Sequence, residues 1–377
     1  MSTPAKPDEL RVSNLELFFD LVFVFTVTQL TALVEHHLSP LGVARAAMVF
    51  VILYWMYSGY AWLTNQVPPT TTSRRLLLVC GMGAYLVCAL AIPGAFDHTA
   101  LAFALGYLLV VLVHSGMYAL THGRGVWRFV PPNLIGAGCL VAAAFVGGWA
   151  RYALWAATVL LHYATTLLAG RVRETRSSGY AIRPGHFVER HGLLLIVAFG
   201  ESIVAIGIAL SRVELTLPVF GAAVLGLALA AALWWSYFIP EPDRSERVLV
   251  DAPVAARVRV ALAGFFYSFI PILFGIVLLA AGLGHAVGHI AEPLAMGHAV
   301  LLGAGTALYL LGTAAFRLVF GIRPLGTRAA AAALAGLTPI AGAGISALAQ
   351  VALLLAIAAA LLVVEARARV ATAERQG

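Results

Sequence analysis

Long apolar runs, each closed by a charged or turn-forming residue, recur about twelve times along the chain. They lie near 17–35, 43–63, 76–95, 99–121, 130–148, 152–170, 192–212, 217–239, 257–284, 296–320, 328–341 and 346–364. Stretches of about 20 such residues suit helices that cross a bilayer. The eleventh run is short and carries Thr338-Pro339 ahead of Gly342 and Gly344, which suits a half-helix or one arm of a tight hairpin. The pattern predicts an all-α, polytopic integral membrane protein of about 12 transmembrane helices.

The basic residues test that count through the positive-inside rule. With the N-terminus in the cytoplasm, twelve crossings put Lys6, Arg11, Arg74, Arg75, Arg124 and Arg128 on the cytoplasmic side. They are joined there by the cluster Arg171 to Arg190, by Arg244, Arg247, Arg257 and Arg259, by Arg317, Arg323 and Arg328, and by Arg367, Arg369 and Arg375. Only Arg45, Arg151 and Arg212 fall outside. A multi-pass protein of the bacterial inner (plasma) membrane with both termini cytoplasmic is therefore expected. The opening MSTPAKPDEL lacks the basic-then-apolar order of a cleavable signal peptide, so insertion is expected to begin with the first helix.

The two halves share local likenesses. L-Y-W-M-Y (53–57) faces L-W-W-S-Y (233–237), F-D-L-V-F-V-F (19–25) faces G-E-S-I-V-A-I (200–206), and Ala104 to Leu109 faces Thr306 to Leu311. Six helices per unit is an even number, so both copies keep one orientation, as in parallel repeats about the membrane normal. The expected organisation is a first six-helix repeat at 1–170, a basic cytoplasmic linker at 171–191 and a second repeat at 192–377.

Composition agrees with the pattern. Of 377 residues, 61% are hydrophobic and 11% charged, and the mean hydropathy is +0.92; a soluble domain carries about 25% charged residues. The net charge of +7 resides in short loops and forms no basic stripe, so no nucleic-acid partner is expected. Cys80 and Cys88 stand about 12 Å apart along one helix, too far for a disulfide. The single lysine, Lys6, and the abundant alanine fit a bacterial source of high GC content.

The candidate chemistry is carried by acids inside apolar runs. Glu16 and Asp20 are four apart, hence on one helical face, and Glu201 sits near the middle of the seventh run. A carboxylate in hydrocarbon costs about 2.5–3.5 kcal/mol even on the lenient insertion scale, so these acids mark an interior polar site or an ion pair that locks helix packing. The H-F-V-E-R-H-G segment contributes His186, Glu189, Arg190 and His191. Glu189 and Arg190 could pair with the acids of the first helix, or the segment could be an interfacial stretch rich in charge. His186 and Glu189 share a face, but H-E-x-x-H and C-x-x-C are absent, and no metal site is expected. His114 and His162 stand alone in apolar runs, where packing and proton relay compete as explanations. The aromatic residues around Trp55 and Trp235 suit an interfacial belt, or a wall facing a cation or apolar substrate. No nucleotide-binding, G-x-S-x-G or diphosphate-binding motif is present, so neither an ATP-driven pump nor a serine hydrolase is supported, and no cofactor is expected.

E-L-F-F-D-L-V-F-V-F (16–25), E-R-H-G-L-L-L-I-V-A-F-G-E-S-I-V-A-I-G (189–207), L-W-W-S-Y-F (233–238) and Y-S-F-I-P-I-L-F-G-I (267–276) resemble the bacterial low temperature requirement A family, over nearly the whole chain. The resemblance implies a multi-pass membrane protein and assigns no biochemical activity. The family often has an acid where this chain has Ile239, and a histidine where it has Phe269. F-F-D-L-V-F-V-F is also similar to the F-S-D signature of lysosomal-type potassium channels, which build a pore from two six-helix repeats.

Two functions of different class fit these features. One is a channel or secondary transporter for a small ion or small-molecule solute, with Glu16, Asp20, Glu189, Arg190 and Glu201 lining an interior site. The other is an intramembrane enzyme in which a buried acid protonates an isoprenoid-like lipid. A structural or assembly role is a third. The expected partners are the lipid bilayer, the transported species and further copies of the chain.

Overall fold

The computed structural model describes residues 11–122, 130–171, 182–211, 213–214, 216–239 and 241–374. Part of the expected basic linker at 171–191, namely 172–181, lies outside them. So do Lys6, Arg124, Arg128, Arg212 and Arg375. Among the described residues there is no strand. The helices are α1 (Asn14–His36), α2 (Pro40–Gln66), α3 (Thr72–Ala91), α4 (Ala100–His122), α5 (Val130–Ala144), α6 (Gly148–Arg171), α7 (Pro184–Leu210) and α8 (Leu217–Phe238). They continue as α9 (Glu241–Asp251), α10 (Val254–Ala261), α11 (Phe269–Gly288), α12 (Met296–Val319), α13 (Gly326–Leu337), α14 (Pro339–Gly344) and α15 (Ala347–Glu374).

Every predicted apolar run is helical, and nine stretches among the described residues are long and apolar enough to cross a membrane. The chain is thus an all-helical, multi-pass membrane protein. α5 has 15 residues, and α6 and the α13–α14 pair also fall outside the nine, so length and composition alone do not carry the count of twelve. The eleventh run breaks where its sequence suggested: α13 stops at Leu337 and Pro339 opens α14. The stretch between the eighth and ninth runs, expected as a loop, instead forms α9 and α10. Glu241 and Asp243 sit in the first turn of α9, where carboxylates complement the helix dipole.

Local signals set the helix ends. Ser39 Oγ accepts the Gly42 N–H at 3.0 Å ahead of α2, and Thr71 Oγ1 accepts the Arg74 N–H at the start of α3. Before α11 the chain makes a π-helical turn over Leu262–Tyr267. Pro271 has no N–H to give to the preceding turn, and Ser268 donates through both N–H and Oγ–H to the Ala263 carbonyl, at 3.1 and 2.9 Å.

Two compact units can be distinguished. One comprises residues up to Thr26, Val51–Leu194 and Ser245–Arg259; the other comprises Val27–Phe50, Leu195–Arg244 and the chain from Val260 onward. They cut across the expected sequential division at 171–191. The first unit has an aromatic interior in which Phe19, Phe23, Tyr54, Tyr57, Tyr60 and Tyr85 are buried and in ring contact. The second is built around α11 and α12, which touch through glycine. A Cβ on Gly275 would lie 2.6 Å from Tyr309 N, and one on Gly282 would lie 2.6 Å from Leu302 N. Small residues are what allow such backbone approach between membrane helices. Large apolar side chains such as Leu76, Leu90, Leu160, Phe220 and Leu318 cover the outer surface, as lipid requires and water would not tolerate.

Gly275→Leu should therefore lower the detergent melting temperature and the yield of folded protein, since overpacking costs about 1–3 kcal/mol or more. Gly83→Leu is the control, because nothing lies within 4 Å of the added Cβ. Equal melting of the two variants would contradict the packing described.

Candidate functional site

The site in the first unit begins at the first turn of α1. Ser13-Asn14-Leu15-Glu16 is a capping box. Ser13 N–H and Oγ–H donate to Glu16 Oε2 at 3.0 and 2.8 Å, and the Glu16 N–H returns to Ser13 Oγ at 3.4 Å. One helical turn later Asp20 stands on the same face. Between these acids lies Arg190 of α7. Its Nη1 donates to Glu16 Oε1 at 2.9 Å and to Thr64 Oγ1, and its Nη2 donates to Asp20 Oδ1 at 3.3 Å. The Tyr57 hydroxyl also donates to Asp20 Oδ1, at 2.7 Å. The guanidinium carbon lies 5.9 Å from the Phe19 ring centroid and 5.8 Å from that of Tyr57, within cation–π range. Glu16 and Arg190 are 1% exposed and Asp20 0%, so water does little to screen these charges. His186 Nε2 approaches Glu16 at 3.3 Å, and its Nδ1 faces Asn65 Nδ2 at 3.1 Å. Two carboxylates thus face one guanidinium.

An open groove of about 580 Å³ runs beside this cap, lined by Ser13, Asn14, Leu15, Phe18, Pro69 and Arg75. Ser13 belongs both to the groove and to the hydrogen bonds of Glu16.

The second unit contains a buried charge cluster of different balance. Arg317 of α12 donates through Nε to Glu241 Oε1 at 2.6 Å, and through Nη1 and Nη2 to the two oxygens of Glu365 at 2.6 Å each. Arg328 of α13 reaches Glu365 through Nε at 2.9 Å, Glu241 through Nη2 at 2.6 Å, and the Ser236 carbonyl. All four side chains are buried, and two cations meet two anions. These contacts tie α8, α9, α12, α13 and α15 together.

The other candidates fall elsewhere. Glu189 is exposed and accepts the Val12 N–H at 3.3 Å, so it does not join Arg190 at the acids. Glu201 is buried in the second unit and accepts the Thr28 hydroxyl at 2.6 Å. Eleven residues of α7, about 16 Å of rise, separate it from Arg190. His191 is hydrogen-bonded through Nδ1 to the carbonyl of Phe187 in its own helix. Trp55 donates to Asn133 Oδ1 at 2.8 Å and stacks on His162, whose Nε2 meets the Tyr107 hydroxyl at 3.3 Å. His114 packs against Tyr60 and Tyr118. Trp235 is half exposed on the outer surface, so it does not repeat the interior role of Trp55. Among the described residues no group of three or more His, Cys, Asp or Glu side chains is arranged to hold a metal.

The profile of the bacterial low temperature requirement A protein family (LtrA) matches residues 11–366. The chain belongs to the LtrA family. It is also similar to an uncharacterized protein of Rhizobium meliloti (strain 1021), 29% identical over 324 residues that cover 81% of this chain and 77% of that one. The matched LtrA region contains both charge clusters. At the two departures from the family pattern noted above, Ile239 is exposed, and Phe269 packs among Phe265, Tyr237 and Phe316.

Two features of these clusters escaped the sequence reading. The S-x-x-E box that fixes Glu16 is legible in S-N-L-E once the start of α1 is placed at Asn14. Arg317 and Arg328 count in the sequence as topological charges, and Glu241 and Glu365 are not singled out; the available signal is that Arg317 and Glu365 are each flanked by apolar residues, in A-F-R-L-V and V-V-E-A.

Ser13→Ala removes two polar contacts of Glu16 and should cost about 0.5–2 kcal/mol, read as a lower melting temperature in detergent. Glu189→Gln should leave melting unchanged. The reverse order would contradict the assignment of Glu16 to the cap and of Glu189 to the surface.

Proposed function

We propose that the protein is a channel or secondary transporter for a small ion, and that the buried site of Glu16, Asp20 and Arg190 lies on its path. The observation that carries this reading is the charge imbalance of that site within helices that must face hydrocarbon. A purely structural ion pair is favoured by full compensation, as in the Arg317–Glu365 cluster; an uncompensated charge in the same setting is expensive and marks a pathway or binding site. The groove beside Ser13 supports access from one aqueous side. The reading takes the chain as twelve crossings in two six-helix repeats, inserted in the inner membrane with both termini cytoplasmic, and is supported there by the arginine distribution. The enzymatic alternative would use the tryptophans as walls of its site, apart from the Phe19 and Tyr57 rings that already face Arg190. Trp55 is instead committed to Asn133 and His162, and Trp235 is turned outward.

Purified protein in liposomes, tested against a panel of protons, monovalent cations and small anions, should conduct or exchange at least one of them. Asp20→Asn keeps the side-chain shape and should reduce that flux to background. Wild-type liposomes silent across the panel, or full flux in Asp20→Asn, would refute the reading. For topology, a reporter active only in the cytoplasm should work when fused to the C-terminus and be silent in the 289–295 loop; the opposite pattern would remove the twelve-crossing arrangement.

A further inference from the structure

We propose that Asp20 holds one exchangeable proton on Oδ2 in the folded protein, making a proton the ligand of the buried site. Only the further step, that this proton is the ion carried or coupled, rests on the transport reading.

The protonation of the cluster follows from its hydrogen bonds. Asn65 is oriented by the backbone of Arg183: its Oδ1 accepts the Arg183 N–H and its Nδ2 donates to the Arg183 carbonyl, both at 3.0 Å. The amide therefore points an N–H at His186 Nδ1, which must accept. The one ring proton of His186 then sits on Nε2, toward Glu16. A second proton, on Nδ1, would point at the amide N–H and oppose it. Glu16 receives Ser13 N–H, Ser13 Oγ–H, Arg190 and His186, a set of donors that favours the carboxylate form. Arg190 is always charged.

Asp20 is different. Both of its donors, Tyr57 and Arg190, sit on Oδ1, and Oδ2 is buried without a hydrogen-bond partner. An ionised Asp20 would leave a net negative charge and a bare anionic oxygen in an apolar surrounding. A proton on Oδ2 brings the cluster to zero. A metal cation fits less well, because it needs several oxygen ligands and nothing else lies within hydrogen-bonding reach of Oδ2.

Among the described residues no neighbouring group supplies the missing positive charge. From α2, Tyr57 gives its hydroxyl to Asp20, and Tyr60 gives its own to the Val110 carbonyl. From α3, Tyr85 donates to the Leu53 carbonyl. On α7, His191 uses Nδ1 at the Phe187 carbonyl.

Infrared spectroscopy of the reconstituted protein tests this directly. At neutral pH the wild type should show the carbonyl stretch of a protonated carboxylic acid, and this band should shift when aspartate is labelled with carbon-13 at its side-chain carboxyl. The other described aspartates, Asp97, Asp243 and Asp251, are exposed, and Asp20 alone among the described aspartates is buried. Asp20→Asn should abolish the band. Glu16→Gln should abolish it too, because Arg190 and one carboxylate then balance and Asp20 releases its proton. A wild type without an isotope-sensitive band, a band that survives Asp20→Asn, or one that survives Glu16→Gln would each overturn the proposal. The band is read from the protein itself, so flux without a band refutes the proton site alone. A band in liposomes that transport nothing refutes the transport reading alone.

Discussion

A guanidinium or carboxylate withdrawn from water must find its compensation inside the protein, and this constraint organises both units. In the first, Arg190 is reached by the N-terminal turn of α1 and by α2, so α1 has to start early enough to bring Glu16 and Asp20 to the depth of α7. In the second, Arg317 and Arg328 gather α8, α9 and α15 around two carboxylates. The Coulomb attraction that repays desolvation is strong only where the surroundings are dry. The aromatic rings around Asp20 and the glycine-tight contact of α11 with α12 are therefore part of the electrostatics as well as of the packing.

The two clusters differ in completeness. Glu241 and Glu365 meet two guanidiniums, and Glu365 is held by both in a near-bidentate manner, a charge-balanced arrangement suited to fixing helices. Around Arg190 there is one cation for two acids. Sites with incomplete compensation can change state by taking up or releasing one small charge; sites with full compensation resist such change.

Much of the helical layout was legible because apolar runs of membrane length leave little choice of secondary structure. The acids at 16 and 20 were conspicuous for the same reason: charge is rare in such runs. The partner of those acids was less legible. Arg190 and Glu189 are adjacent in sequence, and only the phase of α7 decides which turns inward. The four-group cluster of the second unit was missed because Arg317 and Arg328 also satisfy the positive-inside pattern, so a topological explanation sufficed. Tyr57, Thr64 and Asn65 complete the first site from α2 through ordinary polar atoms that no sequence pattern singles out. Glu201 looked equivalent to Asp20 by local likeness, but its partner is a threonine hydroxyl and not an arginine.

The central claim is that the first site holds one acid more than its guanidinium can balance while the second holds equal numbers of acids and guanidiniums. Detergent melting of Asp20→Asn and Glu365→Gln, prepared side by side at neutral pH, tests it most directly. Removing a carboxyl from the over-supplied site should leave the melting temperature at or above that of the wild type. The same change in the balanced cluster strands a buried guanidinium and should lower stability by about 3–5 kcal/mol. Equal losses in the two variants, or a larger loss in Asp20→Asn, would contradict the account.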